Sequence, residues 1–221
     1  MSRQNLIPGL VPQKDGSVAM TIEVPNGNLK PEILAALQEL GAMPGIIVHI
    51  TTAQKIMLLG LDMTLGSEAM EKMEAAGAVV RKARTLSHAR TCVGKPYCKY
   101  AWQDTFSLGS YLYEHTGQEP IARKLKIGIA GCPACCSWAN ITDMGFVGIK
   151  RGWIVFVGGH GGALPKTGTE ITRITTQEEA VEITLKLARL FTENVKQKSR
   201  LDRIIKKLGG IDAVKKEIGI D

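Results

Sequence analysis

The five cysteines of the chain fall in two short stretches of sequence. Cys92 and Cys98 enclose five residues, and a longer interval separates them from Cys132, Cys135 and Cys136. Cysteine thiolates are ligands of both zinc and iron-sulfur clusters. Two groups of thiolates from distant parts of a chain can therefore converge on one metal centre.

The spacing of the first pair bears on which metal this centre holds. A zinc site commonly leaves a gap of two to four residues between paired cysteines, whereas the gap between Cys92 and Cys98 is wider. A 4Fe-4S cubane is larger than a zinc ion and accommodates wider spacing, so the sequence favours the cubane. Either Cys135 or Cys136 can partner Cys132. Zinc, and buried thiols that act as small apolar side chains, remain the alternatives.

Composition describes the chain that carries these cysteines. Its 221 residues are 44% hydrophobic and 22% charged, as in soluble globular proteins. No apolar run reaches membrane-spanning length and the N-terminus lacks the pattern of a signal peptide, so we predict a cytoplasmic protein without a membrane partner. In that compartment cysteines more often bind metals than form disulfides. The net charge of +7 predicts an anionic partner. Because aromatic residues make up only 5%, we expect no nucleic acid, although a zinc-containing nucleic-acid binder remains an alternative.

Hydrophobic periodicity and turn residues predict two regions after an arm at 1–17. The first region, 18–82, alternates short strands with two helices, which is typical of a small α+β unit. The second region, 83–221, carries the cysteines. The first is predicted to contain strands at 18–24, 45–50 and 78–80 and helices at 31–40 and, with Ser67 as cap, 67–76.

The second region is predicted to begin with the first cysteine pair. Thr176 and Glu179 stand at capping-box spacing before a long helix, and Trp138 and Trp153 are expected in the core. The predicted elements are helices at 104–115, 176–195, 201–208 and 211–218, and strands at 126–130, 145–149 and 153–157, the last ending in the glycine-rich run 158–162.

The cysteine pattern resembles a known family. The chain has two cysteines separated by five residues, then Gly131-Cys132-Pro133, and then Cys136, which three residues separate from Cys132. This pattern resembles the siroheme and 4Fe-4S module of sulfite and nitrite reductases. The motifs look most like the siroheme domain of the NADH-dependent nitrite reductase large subunit. The resemblance implies an α+β fold in which a ferredoxin-like half-domain precedes a siroheme/4Fe-4S α/β domain. The stretches that carry it are 98–105, 124–131, 143–148 and 152–159, with 51–55 and 57–60 in the half-domain.

The resemblance also implies roles for the cysteines. Cys92, Cys98, Cys132 and Cys136 would ligate the 4Fe-4S cluster. The Cys136 thiolate would in addition bridge to the siroheme iron. Cys135 would then be an extra thiol without a ligand role.

Basic residues supply the candidate substrate site. Lys124 and Lys126 flank Leu125, so in a strand both lysines project to one face. By the resemblance they hold the oxyanion substrate, sulfite or nitrite; on the residues alone, a solvated strand edge explains them as well. The family carries an arginine a few residues before the first cysteine. Ser87 stands near that place here, and the candidates are Arg90, which we favour, then Arg84, with Arg81 the weakest.

Siroheme carries many carboxylates, so its pocket needs cations and hydrogen-bond donors. By the resemblance, Thr52, Gln54 and Lys55 of the half-domain contact it, and sulfite reductases have an arginine where this chain has Ala53. We expect Arg84 and His160 to contribute as well. Siroheme contact is not the only explanation for this stretch. The glycines beside His160 can form a turn between strands, and His160 itself can be a surface residue.

The function implied by the resemblance is a six-electron reduction of sulfite to sulfide or of nitrite to ammonia. No flavin or nicotinamide fingerprint is visible, so electrons must come from an external donor such as ferredoxin. A siroheme/4Fe-4S electron-transfer or cofactor-carrying protein is the alternative, since the expected arginines are missing. Family enzymes pair two related halves around one siroheme, so this chain either forms a homodimer or functions as a single copy. The basic segment 196–216 is a solvated helical face or a docking surface for an acidic donor.

Overall fold

Two hydrophobic cores divide the chain into two units, Met1–Ala83 and Arg84–Asp221. The computed structural model describes residues 7–195 and 199–220. The first six residues of the predicted arm, and Lys196 and Lys198 of the basic segment, lie outside this part. No helix within it is both long enough and apolar enough to cross a membrane.

The N-terminal unit is an antiparallel sheet with two helices. The elements are β1 (Leu10–Pro12), β2 (Val18–Glu23), α1 (Pro31–Gly41), β3 (Ile47–Ile50), β4 (Lys55–Leu61), α2 (Met63–Ala75) and β5 (Val79–Val80). The strands lie in the order β1-β2-β4-β3, and β5 pairs with Ile22 and Glu23 of β2. Apolar residues of both helices share one core with the central strands.

Sequence periodicity predicts α1 correctly but misses parts of this unit. β1 lies inside the predicted arm and pairs with β2. The prediction also omits β4, because it treats this stretch as part of a connection. The predicted cap at Ser67 is wrong, since the side chain of Asp62 accepts a hydrogen bond from the backbone N–H of Leu65 at 2.8 Å and begins α2 earlier.

The C-terminal unit is a mixed sheet packed against helices. The elements are β6 (Arg90–Thr91), α3 (Thr105–Thr116), β7 (Ile127–Ala130), β8 (Met144–Gly148), β9 (Trp153–Val157), β10 (Thr169–Ile174), α4 (Gln177–Asn194), α5 (Leu201–Lys207) and α6 (Ile211–Ile218). The strands lie in the order β10-β9-β8-β7-β6, with β6, β7 and β8 parallel and the remaining pairs antiparallel.

Several predictions for this unit are confirmed. The capping box of Thr176 and Glu179 begins α4, and β9 has its predicted bounds. The sequence analysis misses β6, because a strand of two residues shows no hydrophobic periodicity. It misses β10, because only two side chains of that strand are buried. Trp153 is in the core as expected, but Trp138 is 54% exposed, so its predicted core position is wrong. The left-handed backbone of Trp138, at a φ of 54°, turns the ring outward.

Candidate functional site

The two cysteine stretches follow neighbouring parallel strands. β6 ends immediately before Cys92, and β7 ends shortly before Cys132. Thr91 pairs with Ile129, so both stretches leave the sheet at the same edge. The backbone N–H of Cys92 donates to the carbonyl of Ile129 at 3.2 Å. Ligand sites form repeatedly at the carboxyl edge of parallel strands.

Hydrogen bonds join the two stretches into one assembly. The backbone N–H groups of Trp102 and Gln103 donate to the carbonyl of Gly131 at 2.8 and 3.1 Å. In return the N–H of Gly131 donates to the Cys92 sulfur at 3.2 Å. A Cβ atom at Gly131 would lie 3.0 Å from the Gln103 carbonyl oxygen, so glycine permits this close approach.

The loop from Cys92 to Gln103 is itself closed by backbone bonds. The N–H of Cys98 donates to the Gly94 carbonyl at 2.8 Å, and the N–H of Ala101 donates to the Cys98 carbonyl at 3.1 Å. Gly94 has a φ of 57°, a left-handed conformation that glycine adopts without steric cost. The loop therefore holds Cys98 in a fixed turn.

The neighbouring cysteines Cys135 and Cys136 have different surroundings. Cys135 is half-buried, with a φ of 54°; its thiol donates to Asn140 Oδ1 at 3.3 Å and its sulfur accepts the Asn140 N–H at 3.4 Å. Burial is the largest influence on the pKa of Cys135 and raises it, while the Asn140 N–H opposes the shift. Cys136 is exposed. The thiol of Cys135 is thus occupied locally, whereas that of Cys136 is accessible.

The cysteine set fits a 4Fe-4S cluster, which is held by thiolates that each bind a different iron. The two cysteine stretches leave the sheet at the same edge, and the N–H of Gly131 donates to the Cys92 sulfur. Thiols from both stretches are therefore available to one cluster. Within residues 7–195 and 199–220, no group of three or more His, Cys, Asp or Glu side chains is placed to hold a single metal ion.

Basic residues gather at the opposite end of β7. Lys124 and Lys126 are exposed on either side of Leu125, which is 1% exposed. They precede β7 rather than lying in it. Burial lowers the pKa of Lys126, and the positive charges of Arg200 and Lys124 lower it further, while Asp143 opposes them.

Arg90 connects this basic group with the cysteine stretch. Its Nε donates to the Ser137 carbonyl at 2.6 Å, and its guanidinium lies 5.0 Å from the centre of the Trp138 ring. Burial lowers the pKa of Arg90, and the nearby Cys135 opposes that shift. The charge of Arg90 in turn acts on Lys126. The favoured arginine therefore interacts with both parts of the site.

Sequence reasoning missed Asp143 and Arg200 as members of the basic group. Asp143 is buried and accepts from the backbone N–H of Lys126 at 2.9 Å. Burial raises the pKa of Asp143, and the positive charge of Arg200 opposes that rise. In the sequence, only the position of Asp143 in the stretch 143–148, which carries the family resemblance, could have marked it as a site residue. No sequence motif marks Arg200.

Arg84 and His160 occupy other parts of the C-terminal unit. Arg84 is exposed and donates to the Ala122 carbonyl at 3.5 Å. His160 lies in the turn after β9, where its backbone pairs with Lys166. Its Nε2 is 3.7 Å from a carboxylate oxygen of Asp202. Their contacts with siroheme stay predictions.

Of the predicted cofactor residues of the half-domain, Thr52 and Gln54 lie in the turn between β3 and β4, and Lys55 is the first residue of β4. Gln54 has a left-handed φ of 54°. The Lys55 ammonium is buried and pairs with Glu23, which also pairs with Arg81 at 3.2 Å. The charge of Lys55 is thus balanced inside the N-terminal unit. Direct contacts of Thr52, Gln54 and Lys55 with siroheme stay predictions.

Two family models match the chain. Residues 82–220 match the nitrite and sulphite reductase 4Fe-4S domain. Residues 11–76 match the nitrite/sulfite reductase ferredoxin-like half domain. The first match covers more than half of the chain. The cofactors of the chain are accordingly siroheme and a 4Fe-4S cluster.

Curated relatives have related descriptions. An assimilatory-type sulfite reductase of Nitratidesulfovibrio vulgaris is 29% identical over 215 residues, which cover 95% of this chain and 96% of that protein. The NADH nitrite reductase large subunit of Escherichia coli is 27% identical over 206 residues, 92% of this chain and 24% of that protein. The chain therefore spans nearly all of the first relative and about a quarter of the second.

Solved structures share the fold. The NirA protein of Mycobacterium tuberculosis superimposes with a TM-score of 0.75 at 22% identity, over 93% of this chain and 41% of that one. Dissimilatory sulfite reductase I gives a TM-score of 0.77 at 14% identity, over 92% and 69%. The predicted fold, a ferredoxin-like half-domain before a 4Fe-4S domain, is confirmed. Because the family model of the nitrite and sulphite reductase 4Fe-4S domain matches more than half of the chain, the chain belongs to the nitrite and sulphite reductase family.

Proposed function

We propose that this chain catalyses the six-electron reduction of sulfite to sulfide or of nitrite to ammonia. The observation that carries the proposal is the placement of Arg90, whose Nε donates to the Ser137 carbonyl next to Cys136 and whose charge acts on Lys126. This placement supports a redox centre and a cationic anion site on one unit. The two curated relatives, from Nitratidesulfovibrio vulgaris and Escherichia coli, are described as a sulfite reductase and a nitrite reductase subunit.

The residues that would hold the cluster are Cys92, Cys98, Cys132 and Cys136, and Cys136 would also help to hold the siroheme. The bonds between the two stretches support this set because they fix Cys92 beside Gly131. The contacts of Cys135 with Asn140 support leaving Cys135 out.

When bound, siroheme supplies the iron at which the anion is reduced, and the cluster supplies the electrons. The cations Lys124, Lys126 and Arg90 balance the negative charge of the substrate and hold its oxygen atoms. Each oxygen that leaves as water needs protons. The lowered pKa of Lys126, caused first by burial, makes its Nζ a better proton donor than that of an ordinary lysine.

The remaining predicted contacts anchor the carboxylates of the macrocycle. We assign this role to Thr52, Gln54, Arg84 and His160. Lys55 would act through the turn that it stabilises with Glu23, since its ammonium is already paired.

The partners in this proposal are an oxyanion substrate and an external electron donor. A ferredoxin suits the net charge of +7, because small ferredoxins are acidic. A homodimer would supply the second half that family enzymes pair around one siroheme. We place the protein in the cytoplasm, where siroheme and reduced ferredoxin are available.

The proposal is tested by turnover with reduced methyl viologen. Protein purified without oxygen from siroheme-producing cells should oxidise six equivalents of viologen for each sulfite or nitrite consumed. Exchanging both lysines, Lys124→Met and Lys126→Met, should raise the KM for the anion, whereas the exposed Lys216→Met should not. If siroheme-loaded protein reduces neither anion, the chain is an electron-transfer or cofactor-carrying protein.

A further inference from the structure

Arg200 lies beside the basic group although it is far away in sequence. It precedes α5, and its Nη2 donates to both carboxylate oxygens of Asp143 at 3.0 and 3.1 Å. The two residues are 57 positions apart. The side chain of Asp143 is only 3% exposed, so this ion pair is shielded on the carboxylate side.

Asp143 holds Arg200 and Lys126 together. One of its oxygens accepts the backbone N–H of Lys126 at 2.9 Å, and the N–H of Met144 donates to the Lys126 carbonyl at 3.0 Å. The guanidinium and the lysine backbone are therefore fixed to the same carboxylate. Charge-assisted bonds of this kind restrict geometry more than neutral ones do.

The group carries more positive than negative charge. The charges that act on Lys126 come from three further cations and one carboxylate, Asp143; the cations are Arg200, Lys124 and Arg90. Like charges in a partly buried group repel one another unless an anion lies among them. Asp143 alone leaves a surplus of positive charge, and a bound oxyanion would reduce it.

Arg200 also retains a hydrogen-bond donor. Its Nε–H is buried and has no acceptor among the residues that the structure describes. A buried donor without a partner loses the free energy of hydration, which a ligand oxygen restores. Nη2 is committed to Asp143, so Nε is the donor that is left for a ligand oxygen.

We propose that Arg200 is an anion-binding residue of this site, with its guanidinium held by Asp143 so that it binds an oxyanion group together with Lys126. The inference rests on the proposed function. The oxyanion group is either a carboxylate of siroheme or the sulfite or nitrite substrate. Arg200 thus adds a second guanidinium to the one that Arg90 supplies.

The test compares Arg200→Met with Arg203→Met in the holoprotein. Arg203 is exposed in α5, the helix that Arg200 precedes, and serves as the matched control. Siroheme per chain is measured by absorbance after extraction, and KM and kcat by viologen oxidation. If Arg200 binds substrate, Arg200→Met should raise KM about ten- to a hundredfold at unchanged siroheme content, the effect of losing one charged hydrogen bond. If it binds the macrocycle, siroheme content should fall.

A conservative variant separates anion binding from a structural role. Arg200→Lys keeps the charge near Asp143 and should recover part of the lost affinity or of the lost siroheme. Parental KM and parental siroheme content in Arg200→Met, with only a lower melting temperature, would overturn the inference. If Arg200→Met does not fold, Arg200→Gln decides, because it keeps a polar side chain without the charge; parental KM and parental siroheme content in that variant would overturn the inference.

The failure of this inference differs from the failure of the proposed function. Parental protein that binds siroheme but reduces neither anion would refute the proposed function. The siroheme content of the Arg200 variants would still test whether Arg200 binds an oxyanion group. Parental protein that turns over, with Arg200 variants indistinguishable from it, would refute the inference alone.

Discussion

Two adjacent cysteines illustrate how much a single residue's surroundings decide. The side-chain oxygen of Asn140 accepts a hydrogen bond from the thiol of Cys135, and the backbone N–H of Asn140 donates to the same sulfur, while Cys136 is exposed. Burial, the main cause of the raised pKa of Cys135, disfavours its thiolate. Metal ligands must be deprotonated, so the two residues should differ in function.

Exchange of each cysteine for serine tests this difference. Cys136→Ser should lose the iron of the cluster, because a ligand is missing, and Cys135→Ser should retain it. Iron content and the visible spectrum of protein purified without oxygen measure the outcome. The reverse pattern would show that Cys135 is the ligand.

The basic group allows a prediction about protonation. Burial and the positive charges of Arg200 and Lys124 lower the pKa of Lys126. Removing one of these charges with Arg200→Met relieves repulsion of the ammonium, so the pKa of Lys126 should rise and its charge should persist to higher pH. Titration of methylated lysines by carbon-13 NMR measures this shift. Arg203→Met should leave the pKa unchanged, and an unchanged or lower value in Arg200→Met would contradict the electrostatic account.

The sequence predicted that the cysteines form a metal centre because each group lies within one short stretch, where the spacing is visible directly. It also predicted that Lys124 and Lys126 share a face, and the buried Leu125 between two exposed lysines agrees with this. It did not predict the pairing of Asp143 with Arg200. Only the folded chain brings those two residues together, and no local pattern marks such a contact.

Three helices of the chain, α2, α3 and α4, begin where a side chain accepts hydrogen bonds from the free backbone N–H groups of the first turn. In α2 this residue is Asp62, whereas periodicity alone suggests Ser67. Both have suitable oxygen atoms, so the sequence offers two caps. The hydrogen bond from Leu65 decides between them.

The cap predicts a difference in stability. Asp62→Ala should lower the free energy of unfolding by about 1 kcal/mol, because the N–H of Leu65 loses its acceptor. Ser67→Ala, inside the helix, should change it by less than about 0.5 kcal/mol. Chemical denaturation of both variants measures the effect. A larger loss at Ser67 would contradict the assignment of the cap.

Close packing of β8 against the cysteine turn gives a second prediction for an element. A Cβ atom at Gly148 would lie 2.5 Å from the carbonyl oxygen of Gly131, next to Cys132. Gly148→Ala should therefore displace this turn and lower the iron content. At Gly161 the nearest atom would be 3.9 Å away, so Gly161→Ala should bind iron normally. Equal iron content in both variants would show that the turn tolerates the displacement.

At the scale of the whole molecule, the chain combines two separate cores with a net charge of +7. The α+β class and the order of the two domains follow from periodicity and from the cysteine motif. The sheet order does not, since the short strands β1 and β6 owe their existence to their neighbours. The surplus of basic residues has a clear use only when siroheme carboxylates and an anionic substrate are part of the molecule.

The central claim is that four cysteines from two stretches hold a 4Fe-4S cluster next to siroheme. The most direct measurement is the absorption spectrum and iron content of the chain, purified without oxygen from cells that synthesise siroheme. We predict the bands of siroheme together with the iron of one cubane cluster in each chain. Colourless protein, or protein with iron but no macrocycle, would contradict the account.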